Sequence, residues 1–388
     1  MPSDRRAQGS VHIKFLDERG CIMRSSQKAA AVLAVLGMGA SIGAAGVRAA
    51  PKVPREQRMP AIAFNADPAI RDYLLVWVED RGPGPDIYGK RLANSGLPQG
   101  GPDKSGAQVI REDPNRRSEP HGPRADPALV YNPTQQEYFL VYSERVSEEA
   151  GWDVFGARVN PNGFSVTQPR LLAGGPGDQQ RPDVDLIDIQ NNENEDGDYL
   201  VVFDDNTRDR DEIWAARIRG NGIPKAKPYL LFRGDDMNRA NATDPTTNGS
   251  LVAWVDDRAG QTDIWSLRLN NGKPYGQPDQ LINTPDEDEF APRYGVGLQW
   301  NVFDPASGTD VRGVQVYANN LTRGPSVGIL VPAADQSWPD SAAGAEGMAV
   351  TIFADNRSGE FDLYAVRLAP NLRRQGREFP VLVDYLVP

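Results

Sequence analysis

One stretch of the sequence, residues 255–269, recurs in five variants along the chain, and this repetition restricts the possible folds more than any other feature. Each copy has an apolar run ending in a carboxylate, a turn rich in Gly, Asp and Arg, and a second run closed by arginine. The acidic residues that open the second run are Asp86, Asp153, Glu212, Asp263, Asp310 and Asp362. Their spacings of 47 to 67 residues indicate one repeat architecture in place of two unrelated domains.

Each unit has the composition of four short strands. A proline marks the first strand, the two runs of the repeat form the second and third, and a short apolar run forms the fourth. The prolines are Pro60, Pro127, Pro182, Pro245, Pro292 and Pro339. A four-stranded sheet with two apolar faces cannot bury both alone, so stacking around an axis is expected. We therefore predict an all-β, six-bladed β-propeller with four antiparallel strands per blade over residues 58–388; an open solenoid is the alternative.

The residues before the repeats have the composition of an export signal. Residues 23–49 combine a basic start, an Ala-rich apolar run and a Val-Arg-Ala ending, which is typical of a cleaved secretory signal peptide. Residues 1–22 are interpreted as a non-native upstream extension and residues 50–57 as an N-terminal tail. We expect a periplasmic or secreted protein without stable membrane insertion after cleavage. The single cysteine, Cys21, precedes the cleavage site, so no disulfide or thiolate metal site is expected.

The net charge opposes binding to nucleic acid. The first 49 residues hold 7 of the 42 Lys and Arg and 3 of the 53 Asp and Glu, so the remainder carries a net charge of −15. Such a surface repels phosphate backbones and anionic lipid headgroups. Cation binding is compatible with this charge.

The repeat resembles that of the TolB-type six-bladed propellers of bacterial periplasmic proteins. Residues 257–265, the following Asn271-Gly272 and the later Leu281-Ile282 carry the resemblance, which extends over residues 58–385. Two features depart from it: the family's Trp-Ser-Pro-Asp-Gly signature survives only at residues 338–340, and the small α/β domain that precedes the TolB propeller is not expected. The resemblance implies a non-enzymatic adaptor that binds other envelope or extracellular proteins, with long loops at residues 147–152 and 190–198 as the first places to look for a partner.

The recurring polar residues are interpreted as structural. Carboxylates end the second strand of every unit, at Glu79, Glu144, Asp205, Asp256, Asp304 and Asp355. Arginines close the third strand of five units, at Arg91, Arg158, Arg217, Arg268 and Arg367. Because one active site needs only one such set, repetition in every blade favours turn capping and ion pairing. The aromatic residues of these strands are expected in the core between blades.

Three less regular features leave alternatives open. Asn192, Asn194 and Asp196 place oxygen donors at alternate positions before a glycine, as in the opening of a calcium loop, although Phe203 stands where a bidentate Glu is required. A calcium-binding repeat protein is therefore one alternative; no other cofactor is expected. Residues 324–328 match the Gly-x-Ser-x-Gly pattern but are interpreted as a turn before the fourth strand, since no helical pattern follows. A carbohydrate-active hydrolase with axial carboxylates is the other alternative.

Overall fold

Each sequence repeat folds into one sheet of four consecutive antiparallel strands. The computed structural model describes residues 56–82, 84–100, 106–110, 121–187, 197–208, 210–234, 241–285, 287–304, 308–316, 322–330 and 334–382. The predicted signal peptide, extension and tail therefore lie outside the described residues, apart from the last two positions of the tail. Within the described ranges, no helical segment has the length and apolar character that a membrane span requires.

Strands A to D denote the first to fourth strand of each blade. The strands of blades one to three are β1 (Arg58–Asn65), β2 (Asp72–Asp80), β3 (Pro85–Leu92), β4 (Ala107–Gln108), β5 (Arg124–Asn132), β6 (Glu137–Ser147), β7 (Gly151–Val159), β8 (Arg170–Ala173), β9 (Gln179–Leu186), β10 (Tyr199–Asp205), β11 (Glu212–Ile218) and β12 (Tyr229–Phe232). Those of blades four to six are β13 (Ala242–Thr247), β14 (Leu251–Asp256), β15 (Asp263–Asn270), β16 (Lys273–Ile282), β17 (Glu289–Tyr294), β18 (Leu298–Asp304), β19 (Gly308–Val316), β20 (Thr322–Gly328), β21 (Gln336–Ala343), β22 (Ala349–Asp355), β23 (Asp362–Leu368) and β24 (Phe379–Leu382). A single 3-10 turn, Ala345–Gly347, joins β21 to β22.

The hydrophobic core is divided among the six interfaces between adjacent blades. Strand B is buried on both faces; in β2, for example, all side chains before Asp80 are buried. In blade five one face of this strand is polar, with buried Gln299 and Asn301. Six separate apolar clusters result, and each joins one blade to the next around the ring. Every strand A also contacts strand A of both neighbouring blades. The prediction of a six-bladed propeller with four antiparallel strands per blade is confirmed.

The ring closes without exchange of a strand, because blades one and six are each built from four consecutive strands. Their interface is a cluster that includes Trp77 and Leu75 from blade one and Ile352 from blade six. Hydrogen bonds also cross this interface: Gln57 N donates to Phe361 O over 2.9 Å, Arg367 Nε donates to Ser95 O over 2.7 Å and Ile62 N donates to Asp340 Oδ2 over 2.7 Å. Side-chain packing therefore supplies the closure that a shared strand provides in other rings.

A bulge interrupts strand A at the same place in every blade. The residue before the strand A proline of each blade has a φ between 48° and 51°. These residues are Met59, Asp126, Arg181, Asp244, Ala291 and Trp338. The pairing register with strand B shifts across this residue and the proline. A left-handed residue before proline is uncommon, and its recurrence six times marks the bulge as a built feature. The bulge sets the direction of the side chain that follows the proline.

The prediction for residues 324–328 was wrong in one respect. They are not a turn before strand D of blade five but part of that strand, β20, which begins at Thr322. Gly324, with φ of 79°, and Pro325 fall where the register with β19 shifts. An outermost strand accommodates proline because its free edge has no neighbouring strand to receive the missing N–H.

Candidate functional site

Three of the carboxylates that end strand B, Glu79, Asp256 and Asp355, are bound to arginines within their own blades. In blade four, Asp256 is fully buried and accepts hydrogen bonds from Arg258 Nε (2.8 Å) and Trp254 Nε1 (3.2 Å). The Arg258 guanidinium lies 3.9 Å from the centre of the Trp265 ring. A charged donor, an indole donor and an aromatic surface thus satisfy one carboxylate and hold strands B and C together.

The same arrangement recurs in blades one and six. Glu79 accepts from Trp77 Nε1 (3.0 Å) and Arg81 Nη2 (2.8 Å), and Arg81 lies 3.8 Å from the Tyr88 ring centre. In blade six, Asp355 pairs with Arg357 over 2.5 Å, and that guanidinium stacks on Tyr364 at 4.4 Å. The structural interpretation of these repeated carboxylates agrees with these contacts.

The arginines at the end of strand C have partners at the opposite end of the blades. Arg91 pairs with Asp72, Arg158 pairs with Glu137, and Arg217 lies 3.7 Å from Asp198. In blade four, Arg268 instead lies 5.1 Å from the ring centre of Tyr275. These four arginines therefore have contacts within their own blades, whereas Arg367 of blade six donates to Ser95 O of blade one.

The inner strands enclose a cavity of about 240 Å³ on the axis, to which all six blades contribute. Blades one and two line it with strand A residues 61–64 and 127–131, which are apolar. Blades three to six contribute polar groups, and the charged ones are Asp183, Asp185, Arg293 and Asp340. The cavity therefore has an apolar wall on one side and a charged wall on the other.

The residue after each strand A proline determines this asymmetry. Around the ring these residues are Ala61, Ala128, Asp183, Thr246, Arg293 and Asp340. We call them the axial ring. The aspartates and the threonine bond to the next blade: Asp183 Oδ2 accepts from Thr247 N (2.8 Å), Thr246 Oγ1 from Tyr294 N (2.8 Å) and Asp340 Oδ2 from Ile62 N (2.7 Å). The two alanines have no side-chain acceptor and leave space on their side of the axis.

Two aspartates of the charged wall, Asp183 and Asp340, are partly compensated by Arg293. Burial raises the pKa of Asp340 to about 7 and also raises that of Asp183, while the positive charge of Arg293 opposes both shifts. Arg293 Nη1 also donates to Pro292 O over 2.8 Å. The backbone amide and the hydroxyl that bond Asp183 further limit its shift. These two carboxylates therefore hold adjacent blades together and share one cation.

Asp185, two residues further along β9, has a different environment. Burial raises its pKa to about 7, its own neighbour Leu186 N donates to Oδ1 over 2.7 Å, and the like charge of Asp183 raises the pKa further. Among the described residues, no cationic side chain forms an ion pair with Asp185 or lowers its pKa. It is the axial carboxylate with the least compensation.

The other candidate residues that the structure describes do not line this cavity. Asn192, Asn194 and Asp196 lie outside the described residues, as does most of the loop at 190–198. In the part of the chain that the structure describes, no cluster of His, Cys, Asp or Glu has the geometry to hold a metal ion. Ser326 is exposed in the outer strand of blade five, whereas His121 precedes the inner strand of blade two, 3.7 Å from Asp86.

Sequence reasoning identified the blades but not the axial residues. The six prolines were recognised as markers of strand A, and the position after each proline holds Ala, Ala, Asp, Thr, Arg and Asp in turn. This variation within an otherwise regular repeat is the signal that could have identified the axial ring. Asp185 could have been found in the same comparison, because it lies two positions further along.

No family model and no curated protein matches the chain. Solved structures of similar fold include the putative TolB from Agrobacterium tumefaciens, with 13% identity, a TM-score of 0.40, and coverage of 66% of this chain and 83% of that one. A puromycin-hydrolyzing peptidase of Mycobacterium tuberculosis has 14% identity, a TM-score of 0.40 and coverage of 78% and 44%, so the chain spans less than half of that protein. The NanB sialidase from Streptococcus pneumoniae has 8% identity, a TM-score of 0.47 and coverage of 76% and 65%.

At identities and TM-scores this low, none of these proteins indicates what this chain binds or catalyses. The class that the fold itself defines is a six-bladed β-propeller, with one cavity of mixed polarity on its axis.

Proposed function

We propose that this propeller is an exported, non-enzymatic binding module of the bacterial cell envelope, with the axial cavity and its rim as the binding surface. The observation that carries the proposal is the asymmetry of the cavity. Its charged residues are confined to blades three, five and six, while the repeated carboxylates of blades one and four are bound within their own blades. Binding sites commonly combine an apolar wall with a few convergent polar groups. The predicted signal peptide and the resemblance of residues 257–265 to the TolB-type repeat support the location and the adaptor role.

A hydrolase is the second candidate, because the cavity contains three aspartates and the pKa values of two of them are raised to about 7. A carboxyl group with a raised pKa suits general acid catalysis. Against this role, Asp183 and Asp340 already accept backbone amides of neighbouring blades. Their oxygens have structural partners, which favours binding over catalysis.

One experiment separates the two candidates. The mature chain is immobilised and incubated with envelope extracts and with low-molecular-weight envelope fractions, beside Ala128→Leu, which fills the apolar side of the cavity, and Asp279→Asn, an exposed carboxylate on strand D of blade four. We expect a partner or ligand retained by the wild type and by Asp279→Asn and reduced at least tenfold by Ala128→Leu.

Hydrolysis of aryl glycosides is measured on the same proteins and on two further variants, Asp185→Asn and Asp340→Asn. Glycan cleavage by the wild type that is lost in both Asp185→Asn and Asp340→Asn, with nothing retained on the immobilised chain, contradicts the binding proposal. Equal retention by Ala128→Leu and the wild type also contradicts it, because the partner then binds away from the axis.

A further inference from the structure

We propose that the axial cavity binds a small amphipathic organic cation, whose ammonium group pairs with Asp185 and whose hydrocarbon part lies against the alanine side of the ring. This inference rests on the proposed function, since it names the ligand class for that cavity. Three features of the described residues lead to it: the space left by two alanines, the uncompensated carboxylate, and the single arginine that is already shared.

The space lies on the apolar side of the axial ring. Ala61 and Ala128 occupy positions where the other four blades carry larger polar residues. Beside them, Ala63 and Val130 also line the cavity. A volume of about 240 Å³ is below the range of about 300–1,000 Å³ typical of sites for drug-sized ligands, so a ligand with only a few carbon atoms is expected. Burial of its hydrocarbon stabilises the complex in proportion to the apolar area removed from water.

The charge expected of the ligand follows from the charged residues of the opposite wall. With three aspartates and one arginine, the ionised wall carries a net charge of −2. Arg293 acts on Asp183 and Asp340 but not on Asp185. An uncompensated carboxylate in a site of low dielectric constant gains most from a cation that enters with its own charge. The net charge of −11 for the whole chain also attracts cations to the protein.

The same charged residues disfavour an anionic ligand. Its negative group would have to compete with Asp183 and Asp340 for the one arginine of the wall, Arg293, and would leave the charge of Asp185 uncompensated. A neutral alcohol would occupy the apolar side without neutralising Asp185. The cavity is therefore expected to prefer the amine among ligands that share one hydrocarbon chain.

The test compares n-butylammonium, n-butanol and n-butyrate by isothermal titration calorimetry at pH 8, using the mature chain. We expect n-butylammonium to bind at least tenfold more tightly than the other two. Asp185→Asn keeps the shape of the side chain and an oxygen acceptor for Leu186 N but removes the charge, and should weaken butylammonium binding at least tenfold. Asp279→Asn, on an exposed outer strand, is the matched control and should leave binding unchanged.

Substitutions that fill the cavity show whether the probe binds there. Ala128→Leu should abolish binding, and if that variant does not fold, Ala63→Val serves in its place. Equal affinity for butanol and butylammonium, or unchanged binding of the amine by Asp185→Asn, overturns the cation assignment. If no probe binds while envelope material is still retained in an Ala128-dependent way, the ligand class is wrong and the proposed binding function stands.

Discussion

The carboxylates at the blade ends and those on the axis belong to the same residue types but have opposite surroundings. At the blade end, buried Asp256 is bonded to Arg258 and Trp254, and the arginine is stacked on Trp265. On the axis, Asp185 has its own neighbouring amide as a donor and Asp183 as the nearby charge. The first carboxylate has a guanidinium partner, whereas burial and a like charge raise the pKa of the second.

This difference separates residues that build the fold from residues that are available for binding. A carboxylate required to hold strands B and C together is needed in each blade, and it recurs with its arginine in blades one, four and six. A ligand on the axis is contacted by all blades at once, so each polar group for it is needed only once. Departure from the repeat, not agreement with it, therefore identifies the candidate site.

The largest expected effect comes from removing the cation of the blade-end arrangement. Arg258→Ala leaves Asp256 buried without its guanidinium partner and removes the stack on Trp265. We expect the free energy of unfolding to fall by about 3–5 kcal/mol, the cost of an uncompensated buried charge. Urea unfolding monitored by tryptophan fluorescence measures this change.

Arg208→Ala is the control for this substitution. The Arg208 side chain is 57% exposed and lies 3.5 Å from Glu212, so its loss should cost less than about 1 kcal/mol. If Arg258→Ala is as stable as Arg208→Ala, the blade-end carboxylates do not depend on their arginines and the comparison with the axis fails.

The sequence predicts the structural features that recur in every blade, but not those that occur only once. The repeat occurs six times, and each copy has a strand A proline and the runs of strands B and C. These features determine the propeller because each four-stranded sheet needs neighbours on both faces. The closure of the ring could not be predicted, since it depends on side chains such as Trp77 that pack across the interface between blades one and six. The direction of the axial-ring side chains could not be predicted either. It depends on a left-handed bulge residue, and this residue has a different side chain in nearly every blade.

The next effect, on the axis, has the opposite sign. Asp185→Asn removes a carboxylate whose pKa is raised from 3.8 to about 7 by burial. In the wild type the unfolded chain ionises near the lower value and the folded chain near the higher one, so wild-type stability falls as pH rises between them. The variant is therefore expected to be more stable than the wild type by roughly 2–4 kcal/mol above about pH 7, and equally stable below about pH 4.

Thermal and urea unfolding of both proteins from acid to alkaline pH measures this difference. Asp340 and Glu289, whose pKa values are also raised to about 7, titrate in both proteins, so subtraction leaves the contribution of Asp185 together with its coupling to Asp183. A stability difference that does not change with pH contradicts the assignment of Asp185 as an uncompensated, half-buried carboxylate. Saturation with n-butylammonium should reduce the difference, because the ligand stabilises only the wild type through this group.

The smallest of the three effects concerns Thr246, the uncharged polar member of the axial ring. Thr246 Oγ1 donates to Asp183 Oδ2 over 2.6 Å and accepts from Tyr294 N over 2.8 Å, and so connects blades three, four and five. Thr246→Val keeps the shape but removes both bonds and leaves a buried amide without its acceptor, at an expected cost of about 1–3 kcal/mol. Thr246→Ser keeps both bonds and loses one methyl group, so we expect about 1 kcal/mol or less. Urea unfolding at pH 6 compares the two variants; equal stability of the valine and serine variants would show that the axial hydrogen bonds do not hold the blades together, and the contrast between the structural and available carboxylates would then rest on Asp185 alone.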